Sequence, residues 1–171
     1  MTQPMKLSIV VALTRDGGLG AGGRLLYRIS DDMRHFKALT MGKPIIMGRK
    51  TFESFPSGPL PGRLNIVVTR NDGYAAPEGV AVVGSVDGAI AVAQASGATE
   101  AMVIGGGEIY RAMLPMASEL YVTEIDATSP AGTDVWFAEA LDARRTLVDA
   151  SAPAVDPRSG VAYRFARYRL D

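Results

Sequence analysis

The way this chain parcels its apolar residues constrains its fold more than any other feature. Short runs rich in Ile and Val, bounded by Gly, Pro or Asp, occupy residues 7–13, 44–47, 64–69, 80–83, 101–104 and 120–125. They are largely continuous rather than alternating, as strands are when both faces of a mostly parallel sheet are covered. Between them lie stretches of helical period at 30–41, 50–55, 86–95 and 108–114, with Ser30 and Ser85 placed as N-caps and Pro115 ending the last. The tail differs. Residues 144–150 and 161–170 both carry a strand pattern, and the Pro/Asp/Ser/Gly connection between them predicts a closing antiparallel hairpin. The expected fold is α/β: a three-layer α/β/α sandwich on a mostly parallel mixed sheet with that C-terminal hairpin.

Composition narrows the function classes. A length of 171 residues gives room for one substantial core and too little for two ordinary domains, so a single domain over residues 1–171 is expected. Hydrophobic content of 47% with 21% charged residues suits a folded chain rather than a disordered one. Eighteen basic and eighteen acidic residues cancel, so no global field draws the chain to nucleic acid or an anionic membrane, and neither partner is expected. With no cysteine there is no disulfide and no thiolate chemistry, which suits the cytoplasm. The apolar run 7–13 is too short to span a bilayer.

Four places could carry chemistry. In the helical stretch from Ser30, Asp32, Phe36 and Leu39 fall at i, i+4 and i+7, so a carboxylate heads an apolar stripe. Either Asp31 and Asp32 merely complement the helix dipole, or Asp32 lines a cleft and meets an amidine-like donor. His35, between Arg34 and Phe36, reads as a surface side chain. In Met47-Gly48-Arg49-Lys50-Thr51 a strand runs through Gly into a helix whose first turn carries two cations, against the macrodipole. An anionic ligand would remove that anomaly; a solvated basic turn is the alternative. Thr69-Arg70 ends another strand, at the edge where ligands gather in open α/β sheets, although leading into Asn-Asp-Gly it is also ordinary turn chemistry. Last, Val103-Ile104-Gly105-Gly106-Gly107-Glu108-Ile109-Tyr110 places three glycines between a strand and a helix start, which permits close backbone approach to a phosphate. It is not the usual dinucleotide fingerprint, because Tyr110 stands where Gly or Ala is required. There is no nucleophile elbow, no Walker loop and no cluster at metal spacing, so no metal is expected.

Taken together, the stretches 43–51 (Lys-Pro-Ile-Ile-Met-Gly-Arg-Lys-Thr), 59–65 (Pro-Leu-Pro-Gly-Arg-Leu-Asn), 103–110 and 120–126 (Leu-Tyr-Val-Thr-Glu-Ile-Asp) resemble the dihydrofolate reductase family, in the family's order, and the resemblance runs from Leu7 to Leu170. It implies hydride transfer from NADPH to pterin C6 of 7,8-dihydrofolate with protonation at N5, giving tetrahydrofolate, in an enzyme that antifolate inhibitors bind. By position it makes Asp32 the carboxylate that bonds the pterin amino group and N3, with Thr123 supporting it. Met33, Phe36, Phe55 and Leu60 would line the apolar pocket, Arg63 would clamp the α-carboxylate of the glutamate tail, and Val10 and Ile104 would turn backbone carbonyls toward the pterin. For NADPH, Ala12 and Leu19 match the backbone contacts of the nicotinamide carboxamide, and Tyr110 would sit beside the ring. Gly48, Thr51, Gly106 and Gly107 match the pyrophosphate site, with Glu108 and Ile109 in the same stretch. Arg49, Lys50, Thr69 and Arg70 would hold the 2′-phosphate. The resemblance also implies a cis peptide between Gly105 and Gly106, and a monomer working in the cytoplasm.

Two stretches depart from the family pattern. Leu26-Tyr27 stand where Pro-Trp is usual, and residues 131–138 (Ala-Gly-Thr-Asp-Val-Trp-Phe-Ala) form a later loop one residue longer than the common one, without its closing proline. Sequence alone does not imply that these two loops meet. Two rival readings stay open: the related NADPH reductase of riboflavin synthesis, against which Asp32 and Arg63 speak, and a non-catalytic NADPH- or folate-binding module.

Overall fold

The computed structural model describes residues 4–171. In chain order the elements are β1 (Lys6–Thr14), β2 (Gly18–Ala21), β3 (Arg24–Leu25), α1 (Ser30–Thr40), β4 (Ile45–Gly48), α2 (Arg49–Glu53), β5 (Asn65–Val68), β6 (Ala81–Val83) and α3 (Val86–Ala95). They continue with β7 (Glu100–Gly105), α4 (Gly107–Met113), β8 (Glu119–Ile125), β9 (Val135–Trp136), α5 (Glu139–Asp142), β10 (Arg145–Ala150), β11 (Ala154–Val155) and β12 (Ala162–Leu170). This is the mixed α/β architecture expected. The contacts gather into two compact units, one holding the described residues up to Ile9 with Thr40–Ala117, the other Val10–Leu39 with Ser118–Asp171.

The first unit contains parallel strands in the order β1-β7-β4-β5-β6, with Ile9 opposite Val103, Ile45 opposite Met102, Ile46 opposite Ile66 and Val67 opposite Val82. The continuous apolar runs have the physical cause inferred for them: Ile45, Ile46, Met47, Ile66, Val67, Met102 and Val103 have no exposed surface. Each contributes about 1.5–3 kcal/mol by leaving water. Helix α3 starts as predicted, the Ser85 side chain accepting the Gly88 N–H at 3.0 Å. It stops where Gly97 takes φ +82 and donates its N–H to Gln94 O at 3.0 Å, a left-handed turn that glycine makes without steric cost. Helix α4 ends at Met113, and Pro115 lies in the single 3-10 turn Leu114–Met116 that follows.

In the second unit the order is β10-β12-β8-β1, and β12 is antiparallel to both β10 and β8, with Arg145 opposite Leu170 and Phe165 opposite Thr123. The C-terminal hairpin is present, yet its connection holds one more strand, β11, which pairs with the start of β12 through Ala154 and Tyr163. A small sheet β3-β2-β9 was not legible in the sequence, because Gly-rich 18–23 carries no apolar period. Ile29, Ile125, Val161 and Tyr163 form a core here, with Ala12, Tyr27 and Phe165 packed on it. Ser30, expected to be an N-cap, is instead the first residue of α1, and its own N–H is taken by Asp156 Oδ1 at 2.8 Å.

Candidate active site

Helix α1 presents Asp32 to β8. The Thr123 hydroxyl donates to Asp32 Oδ1 at 2.5 Å, and Thr123 itself is buried. Desolvation raises the Asp32 pKa above the ordinary carboxylate value, while the Thr123 hydrogen bond and the field of His35 pull it down. Burial dominates, so this carboxyl is poised closer to neutral pH than a helix-start acid in water. His35 corrects the sequence reading: it is half-buried, stacked on Phe165 with ring centroids 3.9 Å apart, and desolvation lowers its pKa, opposed by Asp32. The half-buried stripe of α1 is therefore Asp32, His35, Phe36 and Leu39, and Thr40 at its end is buried. Met33 falls off it and is 68% exposed, which does not fit the pocket-lining place expected for it. Asp31 lies on another side, where its Oδ2 accepts the Tyr163 hydroxyl at 3.2 Å.

The loop after β1 is tied down by polar bonds that the sequence did not reveal. Thr14 Oγ1 accepts the Gly18 N–H at 2.8 Å and bonds Asp16 Oδ1 at 2.7 Å, while Ser129 donates both its N–H and its hydroxyl to Asp16. The Thr14 hydroxyl is the leading cause that holds the Asp16 carboxyl below its ordinary pKa. The two departing loops do meet: Gly18 pairs with Trp136 and Gly20 with Val135, and the Gly22 N–H reaches Asp134 Oδ2 at 3.1 Å. Tyr27, standing where Trp is usual, donates its hydroxyl to Thr128 O at 2.9 Å. Leu19, on β2, and Val10 and Ala12, on β1, occupy the neighbouring strands of this unit.

In the first unit, β4, β5 and β7 are parallel, with Gly48 opposite Val68, and a register shift between Ile46 and Met47 that brings Met47 opposite Gly105. Their carboxyl ends therefore release Gly48, Thr69 and Gly106 at one edge, where open α/β sheets take ligands. Helices α2 and α4 both start there, capped by Gly48 and Gly106 with no side-chain cap bond. A Cβ on Gly106 would lie 3.7 Å from Thr51 Oγ1 and one on Gly48 3.4 Å from Ile109 Cγ1, ordinary contact distances that bring the two helix starts together. The Gly105–Gly106 peptide is cis, as the resemblance implied. Tyr110 is buried and folds back toward Gly105, whose Cβ would meet its hydroxyl at 3.3 Å. Arg49 and Lys50 occupy the first turn of α2, which holds no acid. Arg49 pairs with Glu53 at 3.7 Å, and exposed Arg70 follows Thr69. The Thr69 hydroxyl accepts the Asn71 N–H at 3.1 Å, so its turn role is realised. Uncapped amides, glycine-lined space and adjacent cations fit a pyrophosphate with a further phosphate. Glu108 lies exposed in the first turn of α4.

Arg63 donates from Nε to Pro61 O at 3.0 Å and from Nη1 to Thr40 Oγ1 at 3.1 Å. Burial lowers its pKa from the ordinary guanidinium value, and it remains cationic. Its loop is pinned by Asn65, which the sequence reading quoted without giving it a role. The buried Asn65 side chain accepts from Leu60 N–H at 3.0 Å and donates to Leu60 O and Arg63 O, both at 2.9 Å. A polar residue opening an otherwise apolar strand was the available signal. Phe55 and Leu60 are half-buried near this loop's ends and Ile104 is buried on β7. A cavity of about 510 Å³ opens elsewhere, beside Glu124, Arg145 and Arg164. Glu124 and Arg164 are the strand neighbours of Thr123 and Phe165, so strand alternation puts that cavity on the face away from Asp32.

Fold and site together define an α/β protein with an anion cradle at a parallel strand edge and a half-buried, hydroxyl-supported carboxylate. A sequence model of dihydrofolate reductase matches residues 6–170. The dihydrofolate reductase of Neisseria gonorrhoeae is 38% identical over 164 residues, covering 96% of this chain and 98% of that protein. Dihydrofolate reductase type 3 of Salmonella typhimurium is 40% identical over 161 residues, covering 94% and 96%. The solved structure of dihydrofolate reductase from Enterococcus faecalis complexed with NADP(H) and RAB-propyl superposes with a TM-score of 0.84 at 30% identity, covering 97% of this chain and 96% of that one. The chain belongs to the dihydrofolate reductase family. Among the described residues no helix is long and apolar enough to cross a membrane, and no group of three or more His, Cys, Asp or Glu could hold a metal ion.

Proposed function

We propose that this chain reduces 7,8-dihydrofolate to 5,6,7,8-tetrahydrofolate at the expense of NADPH, with Asp32 as its reacting-centre carboxylate. The observation that carries the reading is half-buried Asp32, on an apolar helix stripe and bonded by buried Thr123, an arrangement suited to a flat heterocycle that offers an amino group beside a ring N–H. When bound, NADPH supplies the hydride and becomes NADP+, so that pterin C6 gains a hydride and N5 a proton.

The rest is the work of this chain's residues. Asp32 orients the pterin by accepting from its amino group and N3, and Thr123 holds the carboxylate in place. The side chains assigned to the substrate place no acid at N5, so water delivers that proton while Asp32 polarises the ring and sets the pH dependence. The resemblance assigns Phe36, Phe55, Leu60 and the backbone of Val10 and Ile104 to the pterin, and Arg63 to the carboxylate of the glutamate tail. Gly48, Thr51 and the Gly105–Gly107 turn, with Glu108, Ile109 and Tyr110 continuing it, receive the cofactor's pyrophosphate and nicotinamide ends. Ala12 and Leu19 meet the carboxamide. Arg49, Lys50, Thr69 and Arg70 receive the 2′-phosphate, and antifolate inhibitors would take the place of the pterin. We take the enzyme to act as a cytoplasmic monomer of one domain.

A steady-state assay following NADPH absorbance with dihydrofolate tests the reading directly. Charge-assisted bonds to a phosphate contribute about 1.5–3 kcal/mol each before screening, so kcat/KM with NADPH should exceed that with NADH by about tenfold or more. No turnover of dihydrofolate would overturn the function; equal kcat/KM for the two cofactors would overturn the 2′-phosphate site.

A further inference from the structure

Asp156 lies in the turn between β11 and β12, 126 residues from the start of α1, and is 1% exposed. A carboxylate with so little water needs donors, and it has four. Oδ1 accepts the Ser30 N–H at 2.8 Å; Oδ2 accepts the Ser159 N–H at 2.8 Å, the Arg158 N–H at 3.1 Å and the Ser159 hydroxyl at 3.0 Å. These bonds, led by the Ser159 amide, keep its pKa far below the carboxylate range, so it stays ionised at every working pH.

Its two oxygens do different things. Oδ2 closes its own turn, together with the Asp156 N–H to Val161 O at 2.9 Å and the Gly160 N–H to Asp156 O at 2.8 Å. Oδ1 leaves the turn and holds the first amide of α1, which helix geometry leaves without a partner. Asp32 is two residues further along that helix. The turn leads straight into β12, whose Phe165 is the register partner of Thr123. From the same strand, Tyr163 donates its hydroxyl to Asp31 and Phe165 stacks on His35. Asp156 thus fixes the start of α1 to the ladder that carries the Asp32 partner.

We infer that Asp156 is a positioning residue for the reaction: by anchoring the Ser30 amide it sets the reach of the Asp32 carboxylate to Thr123 and to the pterin. The inference rests on the proposed role of Asp32. Losing a helix cap changes local equilibria by amounts that correspond to about tenfold, and a reacting group displaced by a fraction of an ångström loses rate in the same range.

The test uses variants of the full chain, each assayed well below its own melting temperature. Asp156→Ala should slow single-turnover hydride transfer to dihydrofolate about tenfold and leave the Kd for NADPH within twofold of wild type. Asp156→Asn keeps the shape but has one acceptor oxygen; with that oxygen on the three turn donors its NH2 meets the Ser30 N–H, so the anchor is lost and the rate should fall toward that of Asp156→Ala. Asp156→Glu keeps the charge and moves the acceptor by one methylene, so it should slow as well. This pair decides the matter even if the alanine variant fails to fold. Ser85→Ala removes a cap from α3, in the other unit from Asp32, and should lower the melting temperature without changing the hydride-transfer rate at saturating NADPH. Wild-type rates in Asp156→Ala, Asp156→Asn or Asp156→Glu would overturn the inference. Asp32→Asn is assayed in parallel: if it retains the rate, the reading of Asp32 fails first, whereas a dead Asp32→Asn beside an unimpaired Asp156→Ala removes only the positioning role.

Discussion

Thr123 and Asp32 stand 91 residues apart in sequence and 2.5 Å apart in space, the threonine hydroxyl donating to Oδ1. The bond favours the ionised carboxyl, against the burial that disfavours it. Thr123→Val keeps the shape and removes the donor. The Asp32 titration midpoint should then move further up, read from the carboxyl carbon of labelled aspartate by NMR, and dihydrofolate affinity should fall about tenfold. An unmoved midpoint would mean that the hydroxyl does not favour the carboxylate.

Asp32→Asn separates chemistry from stability. The folded-state pKa of Asp32 is raised above its unfolded value of about 3.9, so the folded state binds the proton more tightly. Its contribution to stability is present below the unfolded pKa and is lost as pH rises through the folded pKa. At pH 7 the wild type carries the full cost of an ionised, partly desolvated carboxyl, and asparagine carries none. The variant should melt higher than wild type at pH 7, by about 2–4 °C per kcal/mol relieved, with the gap closing toward pH 4. Hydride transfer at neutral pH should fall by orders of magnitude and recover partly at low pH. Thermal melts and single-turnover rates from pH 4 to 9 check both halves; a variant less stable at pH 7 with an unchanged rate profile would show Asp32 to be a helix-start acid.

Arg63 separates substrate binding from the chemistry. Its guanidinium is braced by Pro61 O and the Thr40 hydroxyl, and its loop by Asn65. Arg63→Leu should weaken dihydrofolate binding by about tenfold or more, as loss of a bidentate charged contact does, and leave a pterin without the glutamate tail unaffected. Equal loss for both ligands, measured by titration calorimetry, would make Arg63 a structural residue.

Much of this was legible because it is written in local pattern. Continuous apolar runs gave the strands 44–47 and 101–104 to within two residues, since burial on both faces demands that composition. Asp32 stood out as an acid on an apolar stripe. What stayed hidden depends on long-range pairing. Nothing near Asp156 in the sequence distinguishes it from the acid of an ordinary Asp-Pro turn, and its partner Ser30 is 126 residues away. The β2–β9 pairing likewise joins glycines to a loop with no strand pattern of its own. His35 was misread because its neighbours Arg34 and Phe36 do not reveal the Phe165 ring that covers it.

The tight join between the two departing loops gives the last prediction. Gly18 donates its N–H to Thr14 Oγ1 and pairs with Trp136, and its α-carbon has no room for a side chain. A Cβ there would lie 2.0 Å from Ser129 Oγ, 2.8 Å from Leu26 Cδ1 and 2.9 Å from Thr14 Oγ1. The leucine methyl can swing away, but the two hydroxyls are held by Asp16 and by each other at 2.8 Å. Gly18→Ala must therefore push β2 off or break that network, at a cost of about 1–3 kcal/mol, which is a fall in Tm of about 2–4 °C for each kcal/mol. Trp136 is the protein's single tryptophan and lies 41% exposed across the pair, so its emission should shift red as β9 loses its partner. Ser129→Gly in the same chain removes the nearest obstacle and should restore part of the melting temperature, though not all, because the Thr14 contact remains. A Gly18→Ala protein with the wild-type Tm and the wild-type Trp136 spectrum would show that this loop yields freely.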